Sequence, residues 1–134
     1  MIGLDTNVLL RLGDDEEPGQ RDRARGLVLS QGAGGCFVNE IVLAEFAWTL
    51  LRRYKLSRAD VAARLALVLE SPEFVVASRG EASRAVERFG AGPADFADYF
   101  LAEINRAAGC ATTATFDREA LNSGAPFSNV PLHA

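Results

Sequence analysis

Hydrophobic residues in this chain come as short runs separated by longer stripes at helical spacing. Residues 2–5 read as a short buried strand, after which Asn7 can cap a brief helix carrying Val8, Leu9, Leu10 and Leu12. The segment from Gly13 to Gly19 is a polar breaker. Its four acids lie between glycines and a proline, where a solvated loop explains them better than a metal site. A helix is expected over about 20–31, followed by a glycine-rich turn and a strand near 36–38. Asn39 predicts the cap of a helix running to about Tyr54, Ser57 caps the next to about Glu70, and Pro72 marks its end. A strand near 74–77, a helix near 80–89 and the breaker from Gly90 to Pro93 come next. A helix over about 94–108 stops at Gly109, a strand covers about 110–115, and the tail allows one short strand around Val130.

Short strands alternating with helices predict an α/β fold, with a parallel sheet flanked by helices on both faces. At 134 residues the expectation is a single domain over 1–134. Such sheets bind ligands beyond the carboxyl ends of their strands, where the strand order switches. Asp5 and Asp117 each follow a predicted strand and so project from that edge.

Composition changes this picture little. The chain is 49% apolar and 24% charged, ordinary for a globular protein, and no apolar stretch is long enough to span a bilayer. The amino terminus lacks the charged and apolar regions of a secretory leader, so a cytoplasmic location is expected. Cys36 and Cys110 fit no metal or redox spacing and read as buried free thiols. The net charge of −4 gives nucleic acid no support. It does not exclude it either, because divalent metal in an acidic site inverts the local potential. Two basic clusters also remain, Arg21, Arg23, Arg25 and Arg52, Arg53, Lys55.

The acids carry the candidate chemistry. Asp5, before Thr6 and Asn7, suits either a turn or cap or a ligand. From Ile41 to Leu51 only Glu45 and Thr49 are polar. A helix apolar nearly all round should be buried, and its glutamate should need a partner or a metal. Glu45, Thr49 and Arg52 share one narrow face, so a partly exposed stripe is the alternative. Glu40, pointing elsewhere on that helix, is better explained by the helix dipole. Asp95 and Asp98 lie one turn apart. Capping accounts for Asp95 as well as a functional role does, whereas Asp98, inside the helix between Phe96 and Phe100, reads as a ligand. Asp117 shares a strand face with Thr113 and Thr115, and a turn aspartate is its alternative. Lone His133, next to last in the chain, offers no acid–base chemistry. Carboxylates converging on one point repel unless a cation joins them, and oxygen ligands without histidine or thiolate suit Mg²⁺ or Mn²⁺.

The stretches Gly-Leu-Asp5-Thr-Asn-Val-Leu-Leu-Arg, Val-Leu-Ala-Glu45-Phe-Ala-Trp-Thr-Leu, Asp95-Phe-Ala-Asp98-Tyr-Phe-Leu-Ala and Gly-Cys-Ala-Thr-Thr-Ala-Thr115-Phe-Asp117-Arg occur in that order. Together they resemble a PIN-domain ribonuclease, particularly the toxins of bacterial VapBC toxin–antitoxin pairs. The resemblance implies a three-layer sandwich around a parallel sheet of about five strands. It also implies an acidic pocket holding one or two Mg²⁺ or Mn²⁺ ions and endonucleolytic cleavage of RNA. In that pattern Asp5 and Asp98 match the principal metal-binding aspartates, and Glu45 and Asp117 match the other acids of the pocket. Thr115 matches its supporting hydroxyl, Thr6 fills the serine or threonine position after Asp5, Asn7 fits the usual pattern, and Asp95 falls where relatives are often acidic. The implied partners are an RNA substrate, a VapB-type antitoxin reaching into the pocket, and a second copy of the chain.

Rival readings fit less well. An acyl-phosphate-forming phosphatase wants a second acid where Asn7 stands, and a response-regulator receiver wants a late lysine, whereas the sole lysine is Lys55. A non-catalytic PIN-fold scaffold that binds RNA or protein predicts missing acids.

Overall fold

The computed structural model describes residues 1–131; the reading of His133 lies outside them. In chain order the elements are β1 (Ile2–Gly3), α1 (Thr6–Arg11), α2 (Gln20–Gln31), β2 (Cys36–Val38) and α3 (Glu40–Trp48). A π-helical turn, Thr49–Arg53, extends α3, and α4 (Arg58–Glu70), β3 (Phe74–Val76) and α5 (Arg79–Ala91) follow. The chain closes with α6 (Phe96–Ala107), β4 (Thr113–Thr115), α7 (Arg118–Asn122) and β5 (Phe127–Asn129).

All strand pairing is parallel, as the alternation of elements requires. The strands form two ladders, β1–β2–β3 and β4–β5, and among the described residues no hydrogen-bonded pair joins β1 to β4. Cys36 and Val38 on β2 and Phe74 and Val76 on β3 point into the core. Val75, on the opposite face, is 41% exposed, so the sheet is covered unevenly. The core gathers Leu43 and Leu50 from the α3 region, Val61 and Leu65 from α4, Phe89 from α5 and Phe96, Tyr99 and Phe100 from α6. Phe89 and Phe96 meet edge to face at 6.5 Å.

Asn39 and Ser57 cap their helices as read from the sequence, accepting from the backbone of Val42 and Asp60. Other expectations need correction. The last strand lies just before Val130, β4 is shorter than its apolar run, and α7 is an element the polar tail did not suggest. Cys36 is buried but Cys110 is exposed, because the chain turns into β4 only at Thr113. The acidic loop is solvated but also tethered. Arg11 holds Asp14 at 2.9 Å, while Arg53 and the Tyr54 hydroxyl hold Glu16 at 3.0 and 2.9 Å. Of the apolar residues on α3 and α4, Phe46, Ala47, Leu65, Val68 and Leu69 are buried, whereas Trp48 and Leu67 are exposed.

Glu103 is a buried carboxylate of the α5–α6 interface, only 6% exposed. Burial alone would push its pKa up. The hydrogen bonds from Arg84 and Arg106, both at 3.0 Å, prevail and hold it below the ordinary value. A depressed folded-state pKa adds stability that is present above the unfolded value and lost as pH falls through the folded one. Glu103→Gln is therefore expected to lose about 1.5–2 kcal/mol at neutral pH. Denaturant melts should show that deficit closing below the ordinary glutamate pKa of about 4.3. A deficit independent of pH would assign the loss to packing.

Candidate active site

The first strand ends at Gly3, and buried Leu4 after it delivers Asp5 to the surface as the N-cap of α1. Asp5 Oδ1 accepts from the Thr6 N–H at 2.8 Å. Thr6 is buried, and its hydroxyl donates to Glu45 Oε1 of α3 at 3.2 Å. Asp5, Thr6 and Glu45 thus form one set, joined by the packing of α1 on α3. Glu45 is not the buried acid that its apolar surroundings suggested. It is exposed, and Ile41 (70% exposed) and Trp48 (56% exposed) share its side of the helix.

The second set is built at the start of α6 and the end of β4. Asp95 is the N-cap of α6, and its N–H donates to Asp98 Oδ2 at 3.1 Å, the return half of a capping box. Its own Oδ1 takes Arg52 Nη2 at 2.7 Å. Arg52 therefore pairs across to Asp95 and not back along its helix to Glu45. Asp98 is half-buried, and burial pushes its pKa above the ordinary aspartate range. The Asp95 N–H pulls the other way, Asp117 and Asp95 add to the rise as neighbouring negative charges, and Arg52 opposes it. Asp117 caps α7, its Oδ1 accepting from Glu119 N at 2.8 Å and Ala120 N at 3.2 Å. The Thr115 hydroxyl accepts from the Asp117 N–H at 2.9 Å, so it fixes the turn carrying that aspartate. Asn7 is exposed and lines a separate groove of about 410 Å³ between α1 and α2, with Arg11, Gln20 and Arg23.

Two residues absent from the sequence reading of the site belong to its surroundings. In the sequence Arg52 reads as a member of a basic cluster and a helix-face neighbour of Glu45, whereas in the fold its cation acts directly on the second set. Phe116 is 83% exposed between Thr115 and Asp117, a bare aromatic beside an acid. Its signal in the sequence was an apolar residue at the end of a strand run, which is no different from a core residue.

The fit to a divalent cation rests on donor chemistry. Carboxylate and hydroxyl oxygens are the donors of both sets, which suits a hard cation. Asp98 has a raised pKa in the field of two other carboxylates, so a cation there would offset repulsion already present. Among the described residues, however, no three His, Cys, Asp or Glu side chains are close enough to form a preformed metal cage. No helix among them is long and apolar enough to cross a membrane.

No curated protein matches the chain. The profile of the PIN domain matches residues 2–123, a span that holds both acidic sets, and the chain belongs to the PIN-domain family.

Proposed function

We propose that the protein is a metal-dependent endoribonuclease acting as the toxin of a toxin–antitoxin pair, with Mg²⁺ or Mn²⁺ as its cofactor. PIN domains are generally metal-dependent nucleases, and membership over most of the chain supports the broad class. The observation that carries the reading to this chain is the half-buried Asp98, held at the start of α6 by the Asp95 N–H at 3.1 Å and near enough to Asp117 to feel its charge. An acid held in that state is poised for a cation.

Asp5 and Asp98 are the residues assigned to hold the ion, with Glu45 and Asp117 completing the acidic surface. A bound divalent cation would polarise the phosphodiester and lower the pKa of a water. The chain's own contribution is positioning. The Asp5 cap and the Thr6–Glu45 hydrogen bond fix one side. The capping box and the Thr115 turn fix Asp98 and Asp117 on the other. Bare Phe116 supports a single-stranded substrate, since an exposed aromatic can stack a splayed base. Apolar Ile41 and Trp48, exposed beside Glu45, suit a protein partner such as an antitoxin segment or a second copy.

The second reading is a PIN-fold scaffold that binds RNA without cutting it: among the described residues the acids stand as two separate sets, each held by its own caps and hydrogen bonds. One experiment separates the two. Purified protein, freed of any copurifying partner, is incubated with RNA and Mg²⁺, Mn²⁺ or EDTA beside Asp5→Asn. Cleavage that needs metal and vanishes in the variant is the expected result. RNA binding with no cleavage under any metal would leave the scaffold.

A further inference from the structure

The π-turn after α3 and the start of α4 frame a cleft of about 570 Å³ whose lining includes Arg52, Lys55, Arg58, Leu51, Pro93 and Glu119. Three of these six are cations. Arg52 bridges the cleft to the acidic site through Asp95. Arg58 gives its guanidinium N–H groups to the backbone carbonyls of Phe89, Pro93 and Ala94, so no carboxylate neutralises its charge. Lys55 makes no hydrogen bond or ion pair through its ammonium among the described residues, and Glu119 is the one carboxylate of the lining.

The backbone under Lys55 is informative. Tyr54 N–H bonds to Thr49 O and Leu56 N–H to Leu50 O, both at 3.0 Å, a wide turn that ends the helix. Such endings put the residue after the cap in the left-handed region, normally occupied by glycine. Here that residue is Lys55 at φ 60°, the sole lysine of the chain. A non-glycine residue held there is strained by its Cβ. Glycine would serve the turn better, so a lysine at this point needs another reason.

We propose that this cleft binds a backbone phosphate of the nucleic-acid strand, next to the acidic centre, with Lys55 as its unpaired donor. Arg52 and Arg58 supply the surrounding positive potential. The cleft offers a chain of net charge −4 a local route to a polyanion: three of its fourteen Lys and Arg side chains line one pocket beside the acids, and among the described residues Arg52 alone of them is paired to a carboxylate. The identity of the ligand as RNA rests on the nuclease reading; the phosphate site does not rest on turnover.

The test uses Lys55→Gly, which removes the ammonium and relieves the left-handed backbone, so its melting temperature should equal or exceed that of the wild type. Binding of a short fluorescent single-stranded RNA is read by anisotropy across a salt series, in an Asp5→Asn background with Mg²⁺. Lys55→Gly should weaken binding by roughly three- to tenfold, with a salt slope shallower by about 0.7, the value for one phosphate contact on a single strand. Lys55→Arg should restore both. Arg53→Ala loses the same charge two residues away, where Arg53 pairs with Glu16, and should leave the slope unchanged.

Equal binding by Lys55→Gly and its background, or equal slope losses in Lys55→Gly and Arg53→Ala, would overturn the proposal. So would a failure of the background protein to bind RNA at all. If wild type cuts RNA while Lys55→Gly binds and cuts like it, the cleft is wrong and the nuclease stands. If Lys55→Gly loses binding though wild type never cuts, the cleft stands and the nuclease is wrong.

Discussion

Asp98→Asn should lose cleavage by a factor on the order of 10²–10³ or more while melting no lower than the wild type in the absence of metal. The two halves of that expectation have one cause. Burial and the charges of Asp117 and Asp95 raise the Asp98 pKa, so its ionised form is less comfortable in the fold than in the unfolded chain. For a carboxyl shifted upward, the folded state binds more protons between the two pKa values. Stability therefore falls as pH rises through that window, the reverse of Glu103. Asparagine carries no charge, keeps an oxygen to accept the Asp95 N–H, and removes this loss. Thermal melts of both proteins with EDTA should diverge in favour of the variant above the ordinary aspartate range. Added Mg²⁺ should raise the wild-type midpoint and leave the variant unmoved. A variant that unfolds would instead make Asp98 a structural cap.

The part of the fold legible in the sequence was the part set by local chemistry. Asn39 and Ser57 cap helices because their side chains can reach backbone N–H groups three residues on, a relation visible in any single sequence. The parallel pairing of β1, β2 and β3 follows from helices long enough to cross between strands. The π-turn was not legible. From Ile41 to Leu51 the run is apolar but for Glu45 and Thr49, and one residue inserted into so apolar a helix leaves no trace in the pattern. This also hid the partner of Arg52, since the turn alters the register after Trp48 and carries Arg52 to Asp95. Helix α7 was hidden by brevity, as five residues with one buried alanine show no periodicity.

The candidate site divides in the same way. The proximity of Asp95 and Asp98 follows from their spacing of three on a helix, and the structure adds the hydrogen bond between them. Thr115 stands two residues before Asp117, an offset from which a hydroxyl can reach the carboxylate; in the fold it accepts the aspartate's backbone N–H instead. Glu45 follows the partly exposed alternative: its apolar neighbours suggest an enclosed helix, but Ile41 and Trp48 lie on the open side with it. The nearness of Asp98 to Asp117 depends on how α6 packs beside β4 and α7, a non-local matter that no spacing encodes.

Arg58→Ala should cost about 3 kcal/mol, the largest stability loss expected of any charged residue here. Its guanidinium lies 4.1 Å from the centre of the Phe89 ring and donates to the Phe89 carbonyl at 3.2 and 2.8 Å. It also donates to the carbonyls of Pro93, at 3.4 Å, and Ala94. One side chain of α4 thus fastens the end of α5 to the loop that enters Asp95. Without it the Ala94 carbonyl, on a residue 1% exposed, loses its donor, costing about 1–3 kcal/mol. Lost stacking on Phe89 adds about 0.5–2 kcal/mol. For a domain of this size the midpoint should fall by on the order of 10 °C. Arg58→Lys tests whether geometry or charge is responsible. An ammonium is a point charge without the planar fork, so it should recover only a small part of the stability. It keeps the positive charge of the cleft, however, so RNA affinity below the melting range should stay close to that of the wild type. A lysine variant as stable as the wild type would show that the clamp acts through charge alone. A lysine variant that is folded at the assay temperature but no longer binds RNA would show that the fork, and the loop it fastens, shapes the phosphate site itself.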